Sequence, residues 1–313
     1  MRSSKSMIGQ KLGPYTILEI VGSGGIGAVY KAEDPEGRLV AVKLVRAKVL
    51  NTRDERERFL RSALIASEIR RSSVCPILEI GDDNNDLFVI TPFLQGKTLD
   101  QYMGKKPLPW PRAIEIALAT GAAISDVHEA NAVHGAIRPT NIWILDSGPA
   151  NVVLTDCCME EPLKACQHRG IGGPHDGPCA TDSPVHLERL LYMSPEQLRG
   201  EPMDHRTDIF SFGIIFYEMI SGRYPFEAQD APACIGRILK TEPSPIDALQ
   251  APFPMQIQAI LDRALARDRA DRYPDMRTLL SDIGSASSQR EPARNPSALG
   301  KWLASKILRP LRQ

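Results

Sequence analysis

Three glycines near the start of the chain constrain its fold more than any other feature. Gly22, Gly24 and Gly27 form the pattern G-x-G-x-x-G, which Val29 follows. The same pattern occurs in dinucleotide-binding folds, but there it joins a strand to a helix. Here the residues on both sides alternate between apolar and polar side chains, so the pattern predicts a turn between two strands. Because glycine has no Cβ, such a turn lets the backbone approach phosphate oxygens closely.

The side-chain pattern divides the chain into a β-rich part and a larger helical part. Residues 15–45 predict an antiparallel meander, and a charged helix is expected at 54–71. Two further strands are predicted at 76–80 and 87–93. The elements predicted after residue 96 are helices, at 112–129, 208–220 and 255–266.

Composition sets the expected boundaries of these parts. Residues 284–298 are rich in Ser, Pro and Arg, which predicts a flexible linker, and the tail that follows is short, basic and amphipathic. The expected segments are a disordered lead-in at 1–12, a first lobe at 13–95, a second lobe at 96–283, the linker at 284–298 and the tail at 299–313.

Charge and hydropathy restrict the partners and the location of the protein. Lys and Arg number 38, as do Asp and Glu, so no global field favours nucleic acid as a partner. The first residues lack the apolar segment of a secretory signal, and no apolar stretch reaches the ~18 residues of a membrane span. We therefore expect a cytoplasmic protein whose cysteines are free thiols.

Further motifs follow the glycines in a fixed order: Lys43 in VAVK, HGAIRPTN at 134–141, Asp156 at the end of VVLTD, SPE at 194–196, DIFSFG at 208–213, and Arg272. Together these motifs resemble the eukaryotic-like serine/threonine protein kinases of bacteria, over residues 13–283. The resemblance implies an α+β fold with two lobes. The first would be a small antiparallel β lobe with one helix, and the second would be larger and mainly helical.

The resemblance also implies ATP and Mg²⁺ as ligands and assigns residues to each. The three glycines and Val29 would cover the nucleotide, and Lys43 would bind its α- and β-phosphates. Asn141 and Asp156 would bind Mg²⁺, which prefers hard oxygen donors. The residues expected around the adenine are Ala41, Thr91, Pro92 and Leu94; Pro92 has no N–H but keeps a carbonyl acceptor.

Three more residues acquire structural roles from the same resemblance. Glu196 and Arg272 would form an ion pair that ties the activation segment to the helical lobe. Asp208 would hold the backbone of the catalytic loop.

The catalytic loop departs from the family at the position that matters most for chemistry. Ala136 stands where the family has its catalytic aspartate, and a methyl group cannot accept a proton from a substrate hydroxyl. Gly135 replaces an arginine that would bind a phosphorylated activation segment. Arg138 replaces a lysine that neutralises the transferred phosphoryl group, and it keeps the charge but not the shape.

Departures also occur outside that loop. Ser62 occupies the helix position whose glutamate would pair with Lys43. Glu68 lies about 240° around the helix from it and Glu55 about 10 Å along the axis, so neither is expected to substitute. Cys157–Cys158 replaces the Phe-Gly that would follow Asp156, and Arg189 replaces a threonine that would contact the catalytic aspartate.

These departures affect proton acceptance, activation and substrate docking, whereas the positions that hold nucleotide and metal are retained. We therefore predict a pseudokinase that binds ATP and Mg²⁺ and acts on a protein partner as a signalling scaffold or allosteric regulator. The alternative is an active serine/threonine kinase that transfers the γ-phosphate of ATP to protein hydroxyls with a non-standard catalytic loop. In that case His134 or Asp156 would serve as a relocated base.

Two segments carry weaker signals. Cys166, His168, His175 and Cys179 are zinc ligand types, but their spacing is irregular and glycine and proline dominate between them. A loop without zinc is therefore favoured. The basic tail is compatible with peripheral contact to an anionic membrane, with docking on a partner, or with packing on its own domain.

Overall fold

The computed structural model describes residues 7–23, 27–45, 50, 52–83, 86–148, 151–158, 189–246, 254 and 256–288. Within these ranges the chain forms a six-stranded antiparallel sheet with one helix, followed by a larger and mainly helical part. This architecture confirms the two-lobed α+β fold that the sequence predicted.

Antiparallel strands form the first lobe. The order across its sheet is β1-β2-β3-β4-β6-β5, so each strand of the meander pairs with the next and β6 inserts beside β4. The strand predicted at 76–80 begins three residues late, at Glu79. The strands are β1 (Lys11–Leu12), β2 (Tyr15–Ser23), β3 (Gly27–Glu33), β4 (Leu39–Val45), β5 (Glu79–Asp83) and β6 (Asp86–Pro92).

Strand β4 carries the first side chains of the site. Its alternate residues Val40, Val42 and Leu44 are buried in the apolar core of the first lobe. Successive side chains of a strand point to opposite faces. Ala41 and Lys43 therefore face away from that core, toward the second lobe, and a one-residue slip in register would bury the lysine.

One helix, α1 (Arg53–Ser67), packs against this sheet. Thr52 and Glu55 form a capping box, in which each side chain accepts a hydrogen bond from the backbone N–H of the other residue. Phe59 and Ala63 recur at helical spacing on the buried face. The helix ends four residues earlier than predicted, and Ser62 lies partly buried along it.

The second lobe is mainly helical, with a small sheet of order β7-β8-β9 at its top. Helix α5 is buried on almost every side, as expected for a helix that is apolar all round. The elements are β7 (Gly96–Thr98), α2 (Leu99–Met103), α3 (Trp110–Glu129), β8 (Ile142–Leu145), β9 (Val152–Leu154), α4 (Pro195–Arg199), α5 (Arg206–Ser221), α6 (Ala231–Lys240), α7 (Gln256–Ala264) and α8 (Met276–Ser288).

The ends of the described chain differ from the predicted boundaries. Residues 7–12 were expected in a disordered lead-in, but Met7 and Leu12 are buried and β1 pairs with β2. Residues 284–288 were expected in the linker, but they complete α8, with Ala286 buried. Both corrections arise because short apolar contacts within polar segments are weak signals in sequence. The predicted tail, 299–313, lies outside the described residues.

The length and hydropathy of the described helices bear on whether any of them could cross a membrane. No helix within the described ranges combines the length and the apolar character needed to cross a bilayer.

A buried ion pair joins distant parts of the second lobe. Both oxygens of Glu196 accept from Arg272, at 2.7 and 2.8 Å, and Thr207 donates to the same carboxylate at 2.8 Å. Burial alone would raise the pKa of Glu196, but the hydrogen bonds and charge of Arg272 hold it below its usual value. The pair has the geometry that the resemblance implied.

Removing one partner of this pair should be costly. We expect Glu196→Ala to lower the free energy of unfolding by about 3–5 kcal/mol, because it leaves the Arg272 guanidinium buried without its counter-charge. Urea unfolding measures this loss. The matched control is Glu57→Ala, which breaks the exposed Arg53–Glu57 pair and should have no measurable effect. Equal losses in the two variants would contradict the prediction.

Candidate nucleotide-binding site

A cleft of about 890 Å³ lies between the sheet of the first lobe and the loops at the top of the second lobe. Nearly all the residues predicted to bind nucleotide or metal line it, although they come from separate parts of the chain. Those residues are Gly22, Gly27, Val29, Ala41, Lys43, Thr91, Pro92, Leu94, Asn141 and Asp156. Gly24 lies outside the described residues, and Ala136 is not part of the lining.

Gly27 has a steric reason to be glycine that the sequence did not reveal. A Cβ built at this position would lie 1.7 Å from the carbonyl oxygen of Leu44 on the neighbouring strand. The close approach of β3 to β4 therefore requires glycine at 27, in addition to any approach of phosphate. Gly22 meets no such obstacle.

Strands β4 and β6 form the part of the cleft where the resemblance places the adenine. Ala41 pairs with Thr91 across these strands, and Val40 pairs with Pro92. Val29 and Leu94 add further apolar surface. This arrangement offers apolar surface next to the backbone of β6.

Lys43 and Asp156 form an ion pair in the same cleft, with Nζ 2.8 Å from Oδ2. About a quarter of each side chain is exposed, so both face the cleft. Burial alone would raise the pKa of Asp156, but the charges of Lys43 and Arg138 hold it below its usual value. The lysine whose glutamate partner is missing at Ser62 thus pairs with the predicted metal ligand instead.

Neither of the two glutamates that the sequence excluded is the ion-pair partner described for Lys43. The Glu55 side chain accepts from the Thr52 N–H at 3.0 Å. Glu68 is exposed at the C-terminal end of the helix.

The catalytic loop keeps its backbone shape. The carboxylate of Asp208 accepts from the N–H groups of His134 and Gly135, both at 2.8 Å, as the resemblance implied. Gly135 has a φ of +71°, in the left-handed region that favours glycine. The Asn141 amide donates to the carbonyl oxygen of Ala136 at 2.9 Å, so the loop closes on itself without a carboxylate at 136.

Neither candidate for a relocated base is suited to the task. His134 is fully buried, and its Nε2 has no hydrogen-bond partner. Burial lowers its pKa and keeps it neutral, but no substrate hydroxyl could reach it. Asp156 is accessible, yet its lowered pKa and its pairing with Lys43 make it a weak proton acceptor.

The two cysteines after Asp156 are held as thiols. Cys157 lies in the core of the second lobe, and its hydrogen bond with Cys158 together with burial raises its pKa. Cys158 donates to the carbonyl of Val133 at 3.3 Å. Its φ of +57° is one that glycine would adopt without strain. The sulfur atoms lie 3.6 Å apart, in hydrogen-bond contact and without a disulfide.

The donor atoms of two residues bear on the predicted metal site. Asn141 and Asp156 line the same cleft and offer amide and carboxylate oxygens, which fit Mg²⁺. The described ranges contain no group of three or more His, Cys, Asp or Glu side chains that could hold a metal. The four residues weighed as zinc ligands, Cys166, His168, His175 and Cys179, lie outside those ranges.

The cleft also includes residues that sequence reasoning did not select. Glu218 lines it from α5, where it accepts from the Tyr192 hydroxyl at 2.9 Å. Desolvation raises its pKa to about 7. In the sequence Glu218 is one polar residue inside an apolar helix, which gave no signal of a cleft. Tyr224 lies beside it, with its hydroxyl bonded to the Leu191 carbonyl.

Two successive strands whose glycine-bearing ends line a cleft, with a lysine on β4 and a helical second lobe, are the architecture of protein kinases. A protein-family model described as the protein kinase domain matches residues 15–282. The chain belongs to this family.

Curated relatives and solved structures agree. The chain is 29% identical over 283 residues to the serine/threonine-protein kinase PrkC of Bacillus subtilis, a match that covers 90% of the chain and 42% of PrkC. It is 28% identical over 277 residues to a probable serine/threonine-protein kinase PknB of Lactococcus lactis, covering 88% and 42% respectively. The chain thus spans about two fifths of the length of the curated relatives it matches.

Among solved structures, the chain is similar to the PknI kinase domain of Mycobacterium tuberculosis. The TM-score is 0.68 at 19% identity, and the match covers 89% of this chain and 98% of that one. At this identity the likeness supports the fold.

The raised pKa of Glu218 should give a measurable pH dependence. In the folded protein this carboxyl holds its proton up to about pH 7 instead of 4.5. Its contribution to stability is therefore fully present below about pH 4.5 and is lost as pH rises through about 7. The difference in free energy of unfolding between wild type and Glu218→Gln, measured in urea, should fall as pH rises from about 4.5 to about 7. A difference that is constant with pH, as expected for the control Glu57→Gln, would contradict the prediction.

Proposed function

We propose that this chain is a pseudokinase that binds ATP with Mg²⁺, transfers phosphate poorly or not at all, and acts as a scaffold or allosteric regulator of a protein partner. One observation carries the proposal. The cleft retains Lys43, Asn141 and Asp156, whereas Ala136 has no group that accepts a proton and neither His134 nor Asp156 is suited to replace it.

The proposed roles of the residues follow from their chemistry. The apolar surface of Ala41, Thr91, Pro92 and Leu94 would hold the adenine, and Lys43 and Arg138 would bind phosphate oxygens. Asn141 and Asp156 would hold Mg²⁺, which when bound neutralises phosphate charge. Without a base at 136, the attacking hydroxyl would have neither orientation nor a proton acceptor, a loss of about 10²–10⁴ in rate.

The active kinase remains the second candidate. The relatives are named serine/threonine-protein kinases, and the backbone of the catalytic loop is intact. Phosphoryl transfer also depends mostly on positioning and electrostatics, so the loss of a base lowers the rate less than it would otherwise.

The proposed setting of the protein follows from its composition. The described cysteines Cys75, Cys157, Cys158 and Cys234 are free, which supports a reducing cytoplasm. The balance of acidic and basic residues favours a protein partner over nucleic acid. Peripheral membrane contact by the tail stays a prediction.

Two measurements on the wild type separate the candidates. ATP with Mg²⁺ at millimolar concentration should raise the melting temperature, because a ligand that binds only the folded state stabilises it. Labelled ATP should transfer little or no phosphate to the chain itself or to generic protein substrates. Transfer that disappears in Lys43→Ala and Asp156→Ala would favour the active kinase instead. An unchanged melting temperature would argue against nucleotide binding.

Restoring the missing carboxylate tests where the defect lies. We expect Ala136→Asp to increase autophosphorylation by about 10²-fold or more, because it supplies the proton acceptor. Ala136→Asn is the matched control, with nearly the same shape but no base. The double variant Ser62→Glu with Ala136→Asp should gain further, because Lys43 would recover a carboxylate partner and release Asp156. Equal transfer by all these variants would contradict the assignment of the defect to position 136.

A further inference from the structure

The cleft continues from the nucleotide site into a groove formed by three segments of the second lobe. These segments are the loop 104–107 after α2, residues 189–192 before α4, and the turn 221–224 after α5, and together they are called the outer groove. Side chains from each segment belong to the same lining as Lys43 and Asp156. A ligand of the outer groove would therefore lie in the same cleft as the nucleotide.

Contacts between the three segments hold the outer groove in place. A Cβ built at Gly222 would lie 2.6 Å from Cδ of Pro107, so the turn after α5 touches the loop after α2. The rings of Tyr192 and Tyr224 meet edge to face, with their centroids 6.4 Å apart, and the Tyr224 hydroxyl donates to the carbonyl oxygen of Leu191. A groove fixed in this way loses little conformational freedom when a ligand binds.

Cations line the outer groove, and all three segments contribute to them. Three of the four are exposed on the groove, and the fourth, from the segment before α4, is partly buried. The cations are Lys105, Lys106, Arg189 and Arg223.

The three exposed cations lack counter-charges of the kind that other cations of the second lobe have. Arg206, for example, pairs with Asp204 at 2.8 Å. Within the described part of the chain, no ion pair involves Lys105, Lys106 or Arg223. Because these residues stand on segments that touch, their charges repel one another, and an anion bound among them would relieve that repulsion.

The carboxyl groups of this region offset the cations only in part. Asp100 lines the cleft from α2 and Glu218 lines it from α5. Glu218 accepts from the Tyr192 hydroxyl at 2.9 Å, and burial raises its pKa to about 7, so it carries much less than a full negative charge at neutral pH. The outer groove is therefore positive, although the chain as a whole has 38 basic and 38 acidic residues. A concave surface focuses such a potential on its contents.

The uncharged part of the groove favours a polypeptide over a simple anion. Leu191, Tyr192 and Tyr224 add apolar and aromatic surface to the lining, and tyrosine and arginine are enriched at protein interfaces. The balanced charge of the whole chain does not favour nucleic acid. The chain's own tail at 299–313 carries four cations and no Asp or Glu, so like charges disfavour it as the occupant.

We propose that the outer groove binds an acidic peptide segment of a protein partner, with Lys105, Lys106 and Arg223 contacting its carboxylates. This inference rests on the proposed function, because it specifies the chemistry of the partner that a scaffold or regulator would hold. It is compatible with ATP and Mg²⁺ in the same cleft, since none of these three cations belongs to the residues assigned to nucleotide or metal. With Ala136 in the catalytic loop, the segment would be held without efficient phosphoryl transfer.

Fluorescence anisotropy of short labelled peptides, titrated with the whole chain, tests the proposal. Three peptides differ only in having Glu, Gln or Lys at alternate positions, and a labelled single-stranded oligothymidine is the fourth probe. We expect the Glu peptide to bind about tenfold or more tightly than the Gln peptide, with the Lys peptide weakest, and added salt to narrow the difference. Equal binding of the three peptides, or no binding of the Glu peptide, would overturn the proposal. Oligothymidine that binds more tightly than the Glu peptide would replace it with a nucleic-acid site.

Charge reversal identifies the groups responsible. In the double variant Lys105→Glu with Lys106→Glu, we expect the Lys peptide to bind about tenfold or more tightly than the Glu peptide. Such a gain of binding requires a folded variant. The matched control is Arg53→Glu with Arg58→Glu, which makes the same charge change at exposed positions of α1 and should keep the wild-type preference. A reversed groove that still prefers the Glu peptide, or a control that loses the preference equally, contradicts the assignment.

The melting temperature of the wild type separates this proposal from that of the nucleotide site. ATP with Mg²⁺ stabilises the folded chain if the nucleotide site is present, whether or not a peptide is bound. Stabilisation by ATP without binding of the Glu peptide would reject the acidic partner alone. Binding of the Glu peptide without stabilisation by ATP would reject the nucleotide site and leave the outer groove standing.

Discussion

The carboxylate of Asp208 is the anchor on which the cleft depends. It is fully buried, and it accepts from the backbone of His134 and Gly135 while His128 Nε2 lies 2.8 Å away. A buried carboxylate is tolerated only when several donors satisfy it. Asp208 belongs to the first turn of α5, the helix at the centre of the second lobe. The packing of that helix therefore sets the position of the catalytic loop.

This anchoring explains how the loop keeps its shape without its catalytic side chain. The contacts that shape it are made by backbone groups, by Asp208 and by the Asn141 amide on the carbonyl of Ala136. The Gln197 amide adds a further bond, to the carbonyl of Gly135, at 2.7 Å. The atoms that set the shape of the loop therefore differ from the side chain that would accept the proton. The residue at 136 can change without moving the loop.

The residues at 62 and 136 also affect the charge of the cleft. With Ser62 on α1 and Ala136 in the loop, Lys43 has Asp156 as its partner at 2.8 Å. Charges close together in a partly desolvated cleft interact more strongly than in water. The residue types at 62 and 136 thus change which carboxylate neutralises Lys43. Under the proposed function, the cleft would keep its ligands while lacking the group that accepts a proton.

The sequence by itself determined the two-lobed fold, the order of the motifs and the absence of a proton acceptor at 136, because these depend on local patterns and on residue identity. It also identified Lys43, Asn141 and Asp156, since each stands inside a recognisable motif. Only the tertiary structure decided that Lys43 pairs with Asp156, that Arg138 keeps a buried donor unused, and that Glu218 reaches the cleft from α5. The burial of Met7 and the extension of α8 to Ser288 also required it. These features arise from contacts between elements far apart in the chain, where burial and neighbouring charges, rather than residue type, set what each side chain does.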